Sequence, residues 1–307
     1  MYRKILVPLD GSLLAESALP FALSLAERSE GDIHLAQAVA TFRPFRAFET
    51  THAESTGWLD DARDRSAGYL AQVRNRMETA GTTSRIQTHL LSGRPVRAIH
   101  DHVLQEGIDQ VVMTTHGAGG LQRMWLGSVA DGLLRSVPAP VFLWRGTGED
   151  PVDLESRPTL QRILVALDGS EMAGAILAWV EEMARLFEAR LSLVGVVPPQ
   201  QPLGSTLIPQ PTGGEEVQDA RTRGLESYLK DTAEEIRRRG LEVEHEVVTG
   251  VPAHEGILSE KERTGADVVA LSTHGRDPAT RLLLGSVADK VIRGSEGHVL
   301  VHRDAEE

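Results

Sequence analysis

Two aspartates each close a short apolar run and are followed by Gly-Ser: Asp10-Gly11-Ser12 and Asp168-Gly169-Ser170. A carboxylate in that place can bond the backbone of the turn it opens, or it can receive the amino group of a purine or a ribose hydroxyl. The residues alone leave both readings open. Glycine permits the tight turn, and Ser12 and Ser170 are natural helix N-caps. A second constellation starts at Gly117, runs nine residues to Gly127-Ser128-Val129, and recurs as Gly275, nine residues, Gly285-Ser286-Val287. Glycine lets the backbone approach a ligand. A Gly-Ser at a helix start offers unpaired N–H groups and a hydroxyl where the dipole is positive, an arrangement suited to phosphate. An ordinary capped helix is the plain alternative. Both glycines persist across a spacer that otherwise diverges, which favours phosphate.

Other chemistry finds less support. The chain has no cysteine, which excludes disulfides, thiolate metal sites and cysteine nucleophiles. It has neither a Gly-Lys dipeptide for a Walker A loop nor a Gly-x-Gly-x-x-Gly fingerprint. His100 and His102 stand two apart on a predicted helix and face different ways, so no metal site is assigned. His116 and His274 occupy equivalent places beside the glycine loops, where packing or a backbone hydrogen bond is favoured over acid–base work. No nucleophile, base and orienting group share a convincing spacing, so no catalytic residue is assigned.

The elements that must position these residues come in two copies. Residues 3–12 and 161–170 are identical at 7 of 10 positions. Leu126-Gly127-Ser128-Val129-Ala130-Asp131 returns as Leu284-Gly285-Ser286-Val287-Ala288-Asp289, and Thr115-His116-Gly117 as Thr273-His274-Gly275, all at one offset of 158. The expected domains are 1–147 and 161–307, joined by a polar linker over 148–160 that contains Pro151 and Pro158. Apolar runs predict strands over 4–9, 32–39, 84–91, 110–114 and 140–144, repeated over 162–167, 190–197, 242–248, 267–272 and 298–302. Helical periodicity falls over 13–29, 60–80, 96–105 and 129–136, with counterparts downstream. Strands apolar on both faces and separated by helices predict an α/β fold: two tandem doubly wound domains, each with a parallel sheet covered on both sides. Such folds bind ligands at the carboxyl ends of the strands. Residues 40–58 and 198–214 break the alternation and read as either a lid at that edge or a plain surface insertion.

Net charge is −12, shared as −2 over residues 1–150 and −10 over the rest. An acidic surface disfavours nucleic acid, and Arg237-Arg238-Arg239 reads as the solvated end of a helix. No apolar run approaches the length of a membrane span, and the first residues lack a signal-peptide pattern, so the expectation is a cytoplasmic protein.

On these motifs the chain resembles the universal stress proteins of the tandem type. The resemblance rests on the first strand ending in Asp, on Gly93-Arg94-Pro95 and Gly250-Val251-Pro252 after the third strand, and on His116-Gly117 and His274-Gly275 with their paired Gly-Ser. The departure is the first glycine of the family's nucleotide motif, replaced by Thr114 and Ser272. The resemblance implies five parallel strands per domain and ATP or a related adenine nucleotide at the carboxyl edge, with or without Mg2+. It also implies pairing of two domains through their last strands, here inside one chain, with a homodimer left open. Carried over, Asp10 and Asp168 would face adenine or ribose, Ala38 and Val196 would lie beside the base, and Pro8 would belong to the same nucleotide site. Gly117, Gly127, Ser128 and Val129, with Gly275, Gly285, Ser286 and Val287, would hold ribose and phosphates; Thr114 and Ser272 would add a side chain beside the ligand, and His116 and His274 would border the same site. The expected function is a nucleotide-binding stress sensor or regulator that acts through protein partners and is not an enzyme. The alternatives are a nucleotide-independent scaffold and a slow ATP hydrolase, for which Asp131 and Asp289 are the nearest carboxylates.

Overall fold

The computed structural model describes residues 1–40, 54–115, 126–146, 151–199, 214–273 and 284–303. The chain divides into two compact units, Met1–Thr159 and Leu160–Glu307. In the first, the order is β1 (Lys4–Pro8), α1 (Leu13–Glu16), α2 (Leu19–Ser29), β2 (Asp32–Val39), α3 (Glu54–Thr79), β3 (Ile86–Ser92), α4 (Pro95–Glu106), β4 (Gln110–Thr114), α5 (Ser128–Ser136) and β5 (Val141–Trp144). The second follows with β6 (Arg162–Ala166), α6 (Glu171–Gly174), α7 (Leu177–Phe187), β7 (Arg190–Val197), α8 (Gly214–Arg238), β8 (Val243–Thr249), α9 (Ala253–Thr264), β9 (Val268–Ser272), α10 (Ser286–Gly294) and β10 (His298–His302).

Within each unit five strands lie in the order 3-2-1-4-5 of that unit, and the neighbouring pairs run parallel. Ile5, Leu6 and Val7 of the central strand β1 are fully buried, as are Ile163, Leu164 and Val165 of β6. Both faces of these strands are therefore covered, which is why the sequence shows continuous apolar runs rather than alternation.

The helix expected over 13–29 is two helices, α1 and α2, and α6 and α7 break at the equivalent place. Pro20 opens α2, but the second unit has Ala178 there, so the proline is not what makes the break. Helices α3 and α8 begin at Glu54 and Gly214, so the irregular stretch expected to reach residue 58 ends earlier; residues 41–53 and 200–213 lie outside the described residues. Gly107 and Gly265 close α4 and α9 with φ of +62 and +64, the left-handed conformation that glycine adopts without strain.

The stretch expected as a linker makes specific contacts with the first unit. Arg157 donates to both carboxylate oxygens of Glu27, at 2.7 and 2.8 Å, Ser24 Oγ donates to the Pro158 carbonyl at 2.8 Å, and Leu154 is buried. Burial works to raise the Glu27 carboxyl, but hydrogen bonds from Arg157 and Thr82, with the Arg157 charge, outweigh it and hold the group below its ordinary range.

The core of the first unit also encloses imidazoles. His34 on β2 is 1% exposed and His102 on α4 is 5% exposed, with the half-buried His89 of β3 between them. Burial, reinforced by mutual repulsion, pushes His34 down to about 4, and burial holds His89 and His102 below their ordinary range, so the rings are neutral near pH 7.

Candidate functional site

After β1 the chain crosses to β2 on one side, and after β3 it returns to β4 on the other. The carboxyl ends of β1 and β4 thus form the point where strand order reverses, and β6 with β9 repeat it. The Asp-Gly-Ser turns sit there. Asp10 Oδ1 accepts from the Ser12 N–H at 3.0 Å and the Ser12 hydroxyl at 2.6 Å, while Ser12 Oγ accepts from the Ala15 N–H at 3.1 Å. Asp168, Ser170 and Ala173 repeat these bonds at 3.0, 2.6 and 3.1 Å. Gly11 and Gly169 hold φ of +87 and +82, which fits glycine at that step. One oxygen of each aspartate therefore has a structural task in shaping the turn. Pro8, half-buried, ends β1 immediately before it.

The second constellation arrives at the same edge. The Gly127 N–H donates to the Thr115 carbonyl at 2.7 Å, and the Gly285 N–H to the Thr273 carbonyl at 3.1 Å, so α5 and α10 start directly on the ends of β4 and β9. Gly127 and Gly285 are the N-cap residues, and neither helix has a side-chain cap among the described residues. The hydroxyl residues Ser128 and Ser286 are exposed in the first turns, Val129 is half-buried, and Val287 is 38% exposed. A glycine is needed at 285 for room rather than for its φ of −54: a Cβ there would lie 2.3 Å from the Thr273 carbonyl oxygen. Thr114 is buried, and the Ser272 hydroxyl lies 3.5 Å from the Ala173 carbonyl of α6 as its donor. His116, Gly117, His274, Gly275 and the two spacers, apart from their last residues Leu126 and Leu284, lie outside the described residues.

Ala38 and Val196 occupy the face of the sheet covered by α4 and α9. A Cβ on Gly256 of α9 would meet Val196 Cγ1 and Cγ2 at 2.9 Å, whereas one on the neighbouring Gly195 would meet Leu225 of α8 at 2.6 Å. Helices α4 and α5 pack on each other, as do α9 and α10, so Ala38 and Val196 share a face with the open helix starts. A cleft of about 330 Å³, lined by Gly11, Gln37 and α3 residues including Arg65 and Tyr69, opens on the opposite face.

Tyr69 and Tyr228, at matching places on α3 and α8, were not singled out by sequence. Burial raises both phenols, and the charges of Asp10 and Asp168 respectively add to the shift, which places each tyrosine within electrostatic reach of the turn aspartate. Tyr69 is fixed by donating to Glu16 Oε1 at 3.0 Å, and Arg76 holds Glu16 Oε2 at 2.6 Å. In the second unit the place of Glu16 is taken by Gly174. A tyrosine kept in both copies of a long polar helix is the signal that would have found them. The carboxylates nearest the helix starts are engaged: Asp131 with Arg135, both bonds at 2.9 Å, and Asp289 with Arg293, also at 2.9 Å.

Comparison with known proteins gives a consistent result. The model of the universal stress protein family matches residues 1–145 and again 159–303. A universal stress protein of Methanocaldococcus jannaschii is 30% identical over 145 residues, covering 47% of this chain and 82% of its own length. One from Synechocystis sp. is 23% identical over 98% of this chain and all of its own. Among solved structures, a universal stress protein from Archaeoglobus fulgidus superposes with a TM-score of 0.70 at 20% identity, covering 99% of this chain and 100% of that one. No helix among the described residues is long and apolar enough to cross a membrane.

Proposed function

The chain belongs to the universal stress protein family and carries the family's domain twice, and from that premise we propose that each domain binds an adenine nucleotide, ATP or a relative, at the carboxyl edge of its sheet. The single observation that carries this reading is the repeated juxtaposition of an Asp-Gly-Ser turn with a helix start free of side-chain caps, tied by its N-cap glycine to the neighbouring strand end. The first-turn N–H groups of α5 and α10, with Ser128 and Ser286, would receive phosphates, where the helix dipole favours negative charge. Ala38 and Val196 would give the base an apolar wall. Asp10 and Asp168 would offer their carboxylates to ribose or the adenine amino group while Oδ1 keeps the turn. Mg2+, where it accompanies a triphosphate, would be held mainly by the phosphates.

In this reading the nucleotide is a signal that is bound rather than turned over, and the domain reports it to protein partners. Hydrolysis needs a base to activate water, and the ion pairs of Asp131 and Asp289 with arginine leave those carboxylates poorly suited to it. A nucleotide-independent scaffold is the second reading. It is favoured by the local tasks already found for Asp10, Asp168 and Gly285, each of which explains its residue without a ligand. Mass spectrometry of small molecules released on denaturing freshly purified protein separates the two. Adenine nucleotide near stoichiometry supports binding; none released, and none taken up on addition, supports the scaffold.

A further inference from the structure

We propose that His34, His89 and His102 form a binding site for a divalent transition-metal ion of the zinc class, on the face of the first sheet covered by α4. Each ring offers a nitrogen within 4.8 Å of the other two, the one such grouping of three found among the described residues. His34 Nδ1 and His89 Nε2 stand 3.0 Å apart, close to the ~3.3 Å between two donors on a tetrahedral zinc with 2.0–2.1 Å bonds. The rings of His89 and His102 have centroids 4.4 Å apart. His102 Nε2 is buried with no hydrogen-bond partner, an orphaned lone pair or N–H that a bound ion would satisfy. A bound ion requires the three side chains to turn until their nitrogens, now within 4.8 Å of one another, face a common point, and the half-buried His89 leaves a way in.

The surroundings fit a cation. Glu106, one turn beyond His102 on α4, acts on all three rings with its negative charge, while Lys4 alone opposes at His34. The Gln87 side-chain nitrogen lies 3.5 Å from His34 Nε2 and in this orientation donates to it; turning the amide over exchanges its nitrogen and oxygen, so that the oxygen holds a proton on Nε2 and Nδ1 is left for the metal. Three neutral imidazoles without a protein carboxylate ligand leave a coordination position to water, as in open zinc sites.

The fold itself does not call for this cluster. At the matching places of the second unit stand Ser192 on β7, Glu246 on β8 and Glu260 on α9. There Arg263 binds Glu260 with both a 2.6 and a 2.8 Å bond and feels Glu244 and Glu246 as well. The second unit supplies its cation from its own chain; the first presents donors for one from solution.

The test is calorimetric titration of the chelator-stripped full chain with Zn2+, with Co2+ as a spectroscopic probe. We expect one tight equivalent, visible cobalt bands of low coordination number, and a higher melting temperature with zinc. His34→Ser, which copies the second unit, and His89→Gln should each weaken that equivalent about 100-fold, with far-UV circular dichroism confirming that they fold. His100→Ala should leave it unchanged. Absence of a tight equivalent, or one that survives in both folded variants, would overturn the proposal and leave the trio as hydrogen-bonded packing.

Discussion

Replacing Gly285 by alanine tests the tie between strand end and helix start. The new Cβ would sit 2.3 Å from the Thr273 carbonyl oxygen, about 1 Å inside contact distance, and the obstacle is backbone that no rotamer change can move aside. The Gly285 N–H donates to that same oxygen, so relieving the overlap lengthens the hydrogen bond that seats α10. Overpacking costs about 1–3 kcal/mol and a weakened hydrogen bond about 1, so a loss of roughly 2–4 kcal/mol is expected in the second unit. Since φ is −54, left-handed strain contributes nothing to it. Urea unfolding followed by fluorescence measures the stability, and calorimetry with ATP measures the site. The second domain should unfold at lower urea and its nucleotide affinity should drop at least tenfold, while the first domain keeps both. Unchanged stability and affinity in Gly285→Ala would mean that the close approach of residue 285 to the Thr273 carbonyl does not seat the helix start. The same geometry makes a bulkier replacement of Gly127 a poor probe of binding alone, because the Gly127 N–H makes the equivalent bond to Thr115.

Further outcomes follow from other contacts. Gly256→Ala should destabilise by about 1–2 kcal/mol despite alanine's better helix propensity, because its Cβ meets Val196 at 2.9 Å, and Val196→Ala should recover part of the loss in a double-mutant cycle of unfolding free energies. Glu27 is held below its ordinary range in the folded state, so its bond to Arg157 stabilises the first unit above about pH 4.5 and that contribution fades as pH falls through the lowered value; Glu27→Gln should flatten this part of the stability–pH curve. Ser12→Ala should cost about 1 kcal/mol by thermal unfolding, through loss of the α1 cap and of the hydroxyl bond to Asp10 Oδ1, while the backbone N–H at position 12 still donates to that oxygen. Asp168→Asn retains an acceptor for the turn but removes its charge, so circular dichroism should be unchanged while calorimetry shows weaker ATP binding at the second site.

The repeat and the strand runs made the fold legible, because strands buried on both faces leave an unbroken apolar signature that recurs at one offset. The turn aspartates and the Gly-Ser helix starts were legible for the same reason. Other features were hidden by distance along the chain. His102 was weighed only against His100, its neighbour on the helix, whereas the fold brings it to His34 and His89 on two different strands. The helix break between α1 and α2 left no sequence signal common to both copies, since Pro20 is matched by Ala178. The docking of Arg157 on Glu27 was equally invisible, because a polar stretch with prolines reads as a linker whether or not one of its side chains finds a partner.

If both carboxyl edges take an adenine nucleotide, titrating the nucleotide-stripped chain with ATP, with GTP as the control, reads it out. Saturable ATP heats with two equivalents per chain are expected, one of them weakened at least tenfold in Gly285→Ala, together with markedly weaker GTP binding. No saturable binding of ATP, or binding indifferent to that substitution, would contradict binding at both edges.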